Sequence, residues 1–197
     1  MSSTRLGTKF AIALLGAGVP ALVQGQDRSA FITQIGDRDV ATIDQSAPGA
    51  DARIAQRGDR NRASVVQDGT GIARAETRQT GDLNVATLHQ GGAGDNAARI
   101  IQTGTANIAT LSQTAAGALA NAAQLSQTGD RNAIALSQQG DDNQAVLAQN
   151  GDDNAMSASQ IGVGNRLQWA QDGSNLPDLR ISQIGGSTLL ITQTSGR

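Results

Sequence analysis

Apolar and polar residues alternate along this chain in short runs, and the runs return at a nearly fixed spacing. In Gln56–Gln67, written QRGDRNRASVVQ, the residues Asn61, Ala63, Val65 and Gln67 lie two places apart. Alternate residues of a β-strand share a face, so these four point one way while Arg62, Ser64 and Val66 point the other. The same inward slots return as Asn84, Ala86, Leu88 and Gln90, as Asn107, Ala109, Leu111 and Gln113, and as Asn143, Ala145, Leu147 and Gln149. An amphipathic helix needs apolar spacing near 3.6, and this pattern has period two.

The glutamine that closes each run marks the beat. Gln34, Gln45, Gln56, Gln67, Gln79, Gln90, Gln102, Gln113, Gln127, Gln138, Gln149, Gln160, Gln171, Gln183 and Gln193 follow one another at steps of 10 to 14 residues, mostly eleven. A short fixed period is the mark of stacked structural units. Each interval reads as a seven-residue strand and a four-residue turn. Glycine stands two places after the glutamine in twelve of fourteen intervals, at Gly36, Gly58, Gly81, Gly104, Gly129, Gly140, Gly151, Gly162 and Gly173 among others, with Ala47 and Ala115 as the exceptions. Glycine suits a corner that needs positive φ.

Two strands and two turns make a rung of about 22 residues, and alternate glutamines then form two columns. The predicted fold is all-β: a flattened, two-sheet parallel β-solenoid of about seven and a half strand–turn–strand rungs, roughly 36 Å tall at a strand spacing of about 4.8 Å. A meander of antiparallel hairpins is the alternative. The expected core is thin, with alanine four places before most glutamines and Ile, Val or Leu two places before. Trp169, the only tryptophan, falls in that apolar slot opposite Ala158 and reads as core filler, with ligand stacking as the other use.

Buried amides are costly unless bonded. Stacked identical amides meet that demand, since each can donate to one neighbour and accept from the other. The inward asparagines Asn61, Asn84, Asn96, Asn107, Asn121, Asn132, Asn143, Asn154 and Asn165 are therefore expected, with the glutamines, to form ladders along the stack. Pro177 falls in one asparagine slot and should weaken that strand.

Composition narrows the chemistry. Aromatic residues make up 2% of the 197 and cysteine is absent, so neither an ordinary globular core nor a disulfide is available. His89 is alone and reads outward, which argues against a zinc site or a Ser–His–Asp triad. Asp37, Asp59, Asp82, Asp130 and Asp152 share one corner column. They read as solvated charges that restrain uncontrolled stacking, with calcium binding as the alternative. No catalytic residue, metal or cofactor is expected. The outward residues mix too many types for an ice-binding array.

Arg5 and Lys9 precede the apolar run Phe10–Val19, which is expected to serve as a secretory signal over residues 1–25, leaving 26–197 as one repeat domain. That run is too short to span a bilayer. Without Arg5 and Lys9 the remainder carries 13 Arg and no Lys against 17 acids, a net of −4, and a nucleic-acid partner is not expected.

The recurring Q-x-G-x2-N-x-A-x3-Q resembles the curlin repeat of bacterial curli fibres. It stands intact at Gln56–Gln67, Gln79–Gln90, Gln102–Gln113 and Gln138–Gln149, and at Gln34–Gln45 Asp39 replaces the asparagine. The alanine becomes Ile134, Met156 and Leu167 in three other copies. The resemblance implies an exported subunit that polymerises head to tail into extracellular amyloid fibres of a biofilm matrix. It also implies partnership with a nucleating or major subunit and an outer-membrane secretion channel. The last repeat, QIGGSTLLITQ, has lost its asparagine, as in nucleator-type subunits, so major and minor subunit both remain open. A monomeric secreted solenoid that binds a surface or ligand is the reading from another class. The end strands Arg28–Gln34 and Ser187–Gln193 carry no acid and no evident cap, so their free edges are expected to template the next subunit.

Overall fold

The computed structural model describes residues 9–12, 21–25, 28–117 and 119–195. It contains strands and turns and, among the described residues, no helix. Two strands come first, β1 (Lys9–Ile12) and β2 (Ala21–Gly25). Fifteen more follow: β3 (Arg28–Ile35), β4 (Val40–Gln45), β5 (Asp51–Arg57), β6 (Arg62–Gln67), β7 (Ala73–Thr80), β8 (Val85–Gly92), β9 (Asn96–Thr103), β10 (Ile108–Ala115), β11 (Asn121–Thr128), β12 (Ala133–Gln139), β13 (Gln144–Asn150), β14 (Ala155–Ile161), β15 (Arg166–Asp172), β16 (Leu179–Ile184) and β17 (Thr188–Thr194).

From β3 onward the chain alternates between two sheets. Odd-numbered strands β3 to β17 form one and even-numbered strands β4 to β16 the other, every pairing within these sets being parallel. This is the expected two-sheet β-solenoid, and the antiparallel meander is excluded. Register is held by the repeat itself, because each glutamine faces the glutamine of the next coil, as in Gln56↔Gln79 and Gln113↔Gln138. A slip of one residue would turn every inward side chain outward.

The core lies between the sheets as two apolar layers. Alanines such as Ala52, Ala63, Ala86 and Ala109 form one, and Ile54, Val65, Leu88, Ile100, Leu111, Leu125 and Leu147 the other. Trp169 is fully buried, stacked between Leu147 and Ile191, and its Nε1 donates to Gln193 Oε1 at 3.0 Å. It is core, as expected from its slot.

The corners that follow the odd-numbered strands share one form. Gly58 has φ +114°, and a Cβ there would stand 2.3 Å from the carbonyl oxygen of Gly81 in the next coil. Close approach between coils therefore excludes a side chain as firmly as the backbone angle does. Two places on, Arg38, Arg60, Leu83, Ala106, Arg131, Asp153 and Asn175 also hold φ between 52° and 60°, as does Asp142 in a corner of the other edge. These left-handed non-glycine residues carry no sequence signature.

The corners after the first even-numbered strands are longer. There Ala50 and Ala73 replace the asparagine and form a small apolar cluster with Ala47. The corner ahead of β16 corrects one expectation. Leu176, not Pro177, caps the asparagine column, its N–H donating to Asn154 Oδ1 at 3.0 Å. Pro177 stands beyond it, and β16 is one residue shorter than its neighbour β14.

β1 pairs antiparallel with β4, and β2 antiparallel with β3, against the strands that begin the parallel stack. They fall within the segment expected to be a secretory signal, the rest of which lies outside the described residues.

Candidate functional site

The inward amides form bonded columns. In the sheet of odd-numbered strands, Nε2 of each glutamine donates to Oε1 of the glutamine one coil later, from Gln34 through Gln56, Gln79, Gln102, Gln127, Gln149 and Gln171 to Gln193, at 2.7–3.0 Å. The opposite sheet repeats this from Gln45 through Gln67, Gln90, Gln113, Gln138 and Gln160 to Gln183, at 2.7–2.9 Å. The second Nε2 proton crosses the core to a backbone carbonyl at the start of the preceding strand in the other sheet. Gln56 reaches Val40 O at 3.1 Å and Gln90 reaches Arg74 O at 3.0 Å. All but Gln34 and Gln149 thus tie the two sheets together as well as joining successive coils, which the sequence pattern did not disclose.

The asparagines stack at the corners. Asn84 Nδ2 donates to Asn61 Oδ1 at 3.1 Å and to the carbonyl of Gly104 in the following coil at 2.8 Å. Asn107 and Asn132 repeat both bonds with their own neighbours. At Asn154 the backbone N–H donates to Asn132 Oδ1 and Nδ2 to Gly173 O. On the other edge, Asn121, Asn143 and Asn165 are linked at 3.2 and 2.9 Å. Asn96 stands apart: its Nδ2 turns back to Gly91 O in its own corner at 2.8 Å, and Asn121 Nδ2 comes only to 3.5 Å of its Oδ1.

Asp39 begins the first of these columns. Its Oδ1 accepts from the Asn61 N–H at 2.8 Å and from Asn61 Nδ2 at 3.2 Å, while Oδ2 is buried without a partner. Burial pushes its carboxyl above the ordinary value, only partly offset by the two bonds from Asn61. Gln34 Oε1, at the same end of a glutamine column, is likewise buried without a partner.

The corner acids have a structural role beyond solvation. Asp59 accepts the N–H of Asp37 in the coil before, Asp82 that of Asp59, Asp130 that of Thr105 and Asp152 that of Asp130, at 2.7–2.9 Å. Asp95 and Asp141 do the same on the other edge. Arg131 forks onto Asp153 at 2.7 and 2.6 Å, which lowers the Asp153 carboxyl and raises the guanidinium through that shared hydrogen bond. His89 points outward and meets Asp68 at 3.1 Å. Among the described residues no three His, Cys, Asp or Glu side chains are grouped to hold a metal ion, and no helix is long and apolar enough to cross a membrane.

The ladders therefore dominate the molecule's polar chemistry, and they have a direction. Oε1 acceptors face the β3–β4 end and Nε2 donors face the β16–β17 end. No curated protein matches the chain. The family description curlin associated repeat matches residues 129–162, a segment running from one corner glycine through Gln138, Gln149 and Gln160 to another. That segment carries the curlin associated repeat, and its slots continue in register through the coils on either side of it.

Proposed function

We propose that this chain is a secreted structural subunit that polymerises into extracellular, curli-type amyloid fibres. One observation carries this reading: both glutamine ladders run unbroken through the stack, and the one in the odd-numbered strands ends in unmatched groups of opposite kind. At one end Gln34 Oε1 has no donor, and at the other the single bond from Gln193 Nε2 goes to Pro177 O, not to a further glutamine. Such a ladder is complementary to a second copy of itself, and cross-β stacking repeats the bonding of each strand with the next. A contact between unlike ends propagates into an open filament instead of closing.

Residues 1–25 act as the export signal in this reading. Their removal takes away β1 and β2 and frees the edges of β3 and β4 for an incoming subunit. The corresponding location is outside the cell, with the chain's own copies, a nucleating or major subunit and a secretion channel as partners. The fold and the ladders are structural, and no enzymatic role is proposed.

The test is assembly of the purified 26–197 chain. Fibres should form and diffract with a meridional reflection at about 4.7–4.8 Å. Deleting residues 184–197, which removes β17 and its ladder donor, should slow growth. A product that stays dispersed, or growth kinetics unchanged by the deletion, overturns the proposal.

A further inference from the structure

The two sheets of the stack are unequal. Eight parallel strands, β3 to β17, stand in one sheet and seven, β4 to β16, in the other. At the β16–β17 end the molecule therefore finishes on a half coil, with β17 standing one strand higher than β16. At the opposite end it begins on β3, in the same sheet as β17. Resting on the fibre reading above, this mismatch dictates how copies can join.

A second copy in the same orientation would place its β3 on β17. Its β4 would then stand two strand spacings above β16, about 9.6 Å away. That gap is one strand wide. It would leave the β16 edge and the β4 edge unpaired and interrupt the glutamine column beyond Gln183.

We propose instead that successive copies are turned by half a turn about the fibre axis, so that β3 of the following copy fills the place above β16 and its β4 lies on β17. Both sheets then continue without a missing strand. The odd-strand sheet of one copy becomes the even-strand sheet of the next.

The repeat itself permits this. Its period is about eleven residues, half a coil, so both sheets offer the same sequence of inward slots. Aligned on the glutamines, Gln183 and Ile181 receive Gln34 and Ile32 of the following copy, while Gln193 and Ile191 receive its Gln45 and Ile43. The buried, unmatched Gln34 Oε1 then faces Gln183 Nε2, whose bond to Ser187 O at 3.1 Å occupies the proton that earlier coils use in the ladder. Gln193 Nε2 has one proton spare for Gln45. Outside the sheet, Ile184 and Ile35, exposed by 75% and 51%, come side by side and cover each other. The end of β17 also meets the start of β3, so the polymer is one continuous coil interrupted only by chain ends. Each copy advances the fibre by about 36 Å, and the structure repeats every two copies, at about 72 Å.

The natural chain has no cysteine, so engineered thiols report the join without background. A disulfide needs Cα atoms within about 7 Å. Thr33, Ser182, Thr192 and Asp44 all lie on outward faces. Fibres grown from an equal mixture of Thr33→Cys and Ser182→Cys 26–197 chains, then oxidised and dissolved, should give covalent dimers. Fibres mixed from Thr33→Cys and Thr192→Cys chains should give none, because the half turn puts those residues on opposite sheets. The pair Thr192→Cys with Asp44→Cys is an independent positive and serves if any one variant fails to assemble. Dimers from the 33–192 pair, or fibres without dimers from the 33–182 and 192–44 pairs, overturn the half turn while leaving the fibre intact. Failure of the cysteine-free chain to form fibres overturns the fibre reading and the half turn with it.

Discussion

Changing one atom in the middle of a ladder tests whether bonded amides hold the stack. Asn107 sits at a central corner, fully buried. Its Oδ1 accepts from the Asn132 backbone N–H and Nδ2, and its own Nδ2 donates to Asn84 Oδ1 at 3.1 Å and to Gly129 O at 2.7 Å. Asn107→Asp keeps the shape and the accepting oxygen but loses both donations, each with a net worth of about 1 kcal/mol. It also leaves a carboxylate oxygen facing two other acceptors, at a further cost of about 1–3 kcal/mol. The expected loss at neutral pH is about 4 kcal/mol.

The loss should depend on pH in a definite direction. Asp39, which occupies the equivalent slot at the start of the column, has a carboxyl raised by burial. An aspartate at 107 is raised by the same cause. The folded chain then holds its proton more tightly than the unfolded one, so stability falls as pH rises from the unfolded value of about 3.9 through the folded one. Below that window the protonated acid can donate again and much of the loss is recovered. Urea unfolding followed by circular dichroism at pH 7 and pH 3 measures both quantities. Equal midpoints for Asn107→Asp and the natural chain at pH 7, or a deficit that does not shrink at pH 3, would refute the account of the ladder.

Three other outcomes follow from single positions. Asp39→Asn should raise stability by about 2 kcal/mol at pH 7, by restoring a donor and removing the unmatched oxygen, and the gain over the natural chain should fade as the solution is acidified; urea midpoints across pH report it. Thr77 is buried in an apolar slot between Ile54 and Ile100, with its hydroxyl unpartnered. Thr77→Val should therefore stabilise by about 1 kcal/mol or more, read as a higher urea midpoint. Trp169→Ala should cost about 3–5 kcal/mol through lost burial and the cavity left behind, and thermal unfolding should show the β signal near the β17 end lost first.

The strands, the inward slots and the corner glycines were legible in the sequence because they are local. A period of two sets which side chains share a face, and a recurrence of eleven sets how strands align, whatever else the chain does. The candidate ladder was legible for the same reason, since identical amides at identical phase have one economical arrangement. Three features needed neighbouring coils. The corner acids look like surface charges until the coil before brings a backbone N–H to the carboxylates of Asp59, Asp82, Asp130 and Asp152. Asp39 looks like a near-match to asparagine until burial strands one of its oxygens. Leu83 and Arg60 look unremarkable until the corner forces them to positive φ.

The sequence by itself determined the unit: a strand, a corner, and the side of the sheet on which each residue lies, all consequences of backbone alternation and turn sterics within eleven residues. Only the tertiary structure decided the direction of the ladders, the bonds that glutamines make across the core and the half coil left over at the end. Those depend on where donors and acceptors meet between coils, and such contacts join residues 16 to 25 positions apart that no local pattern can orient.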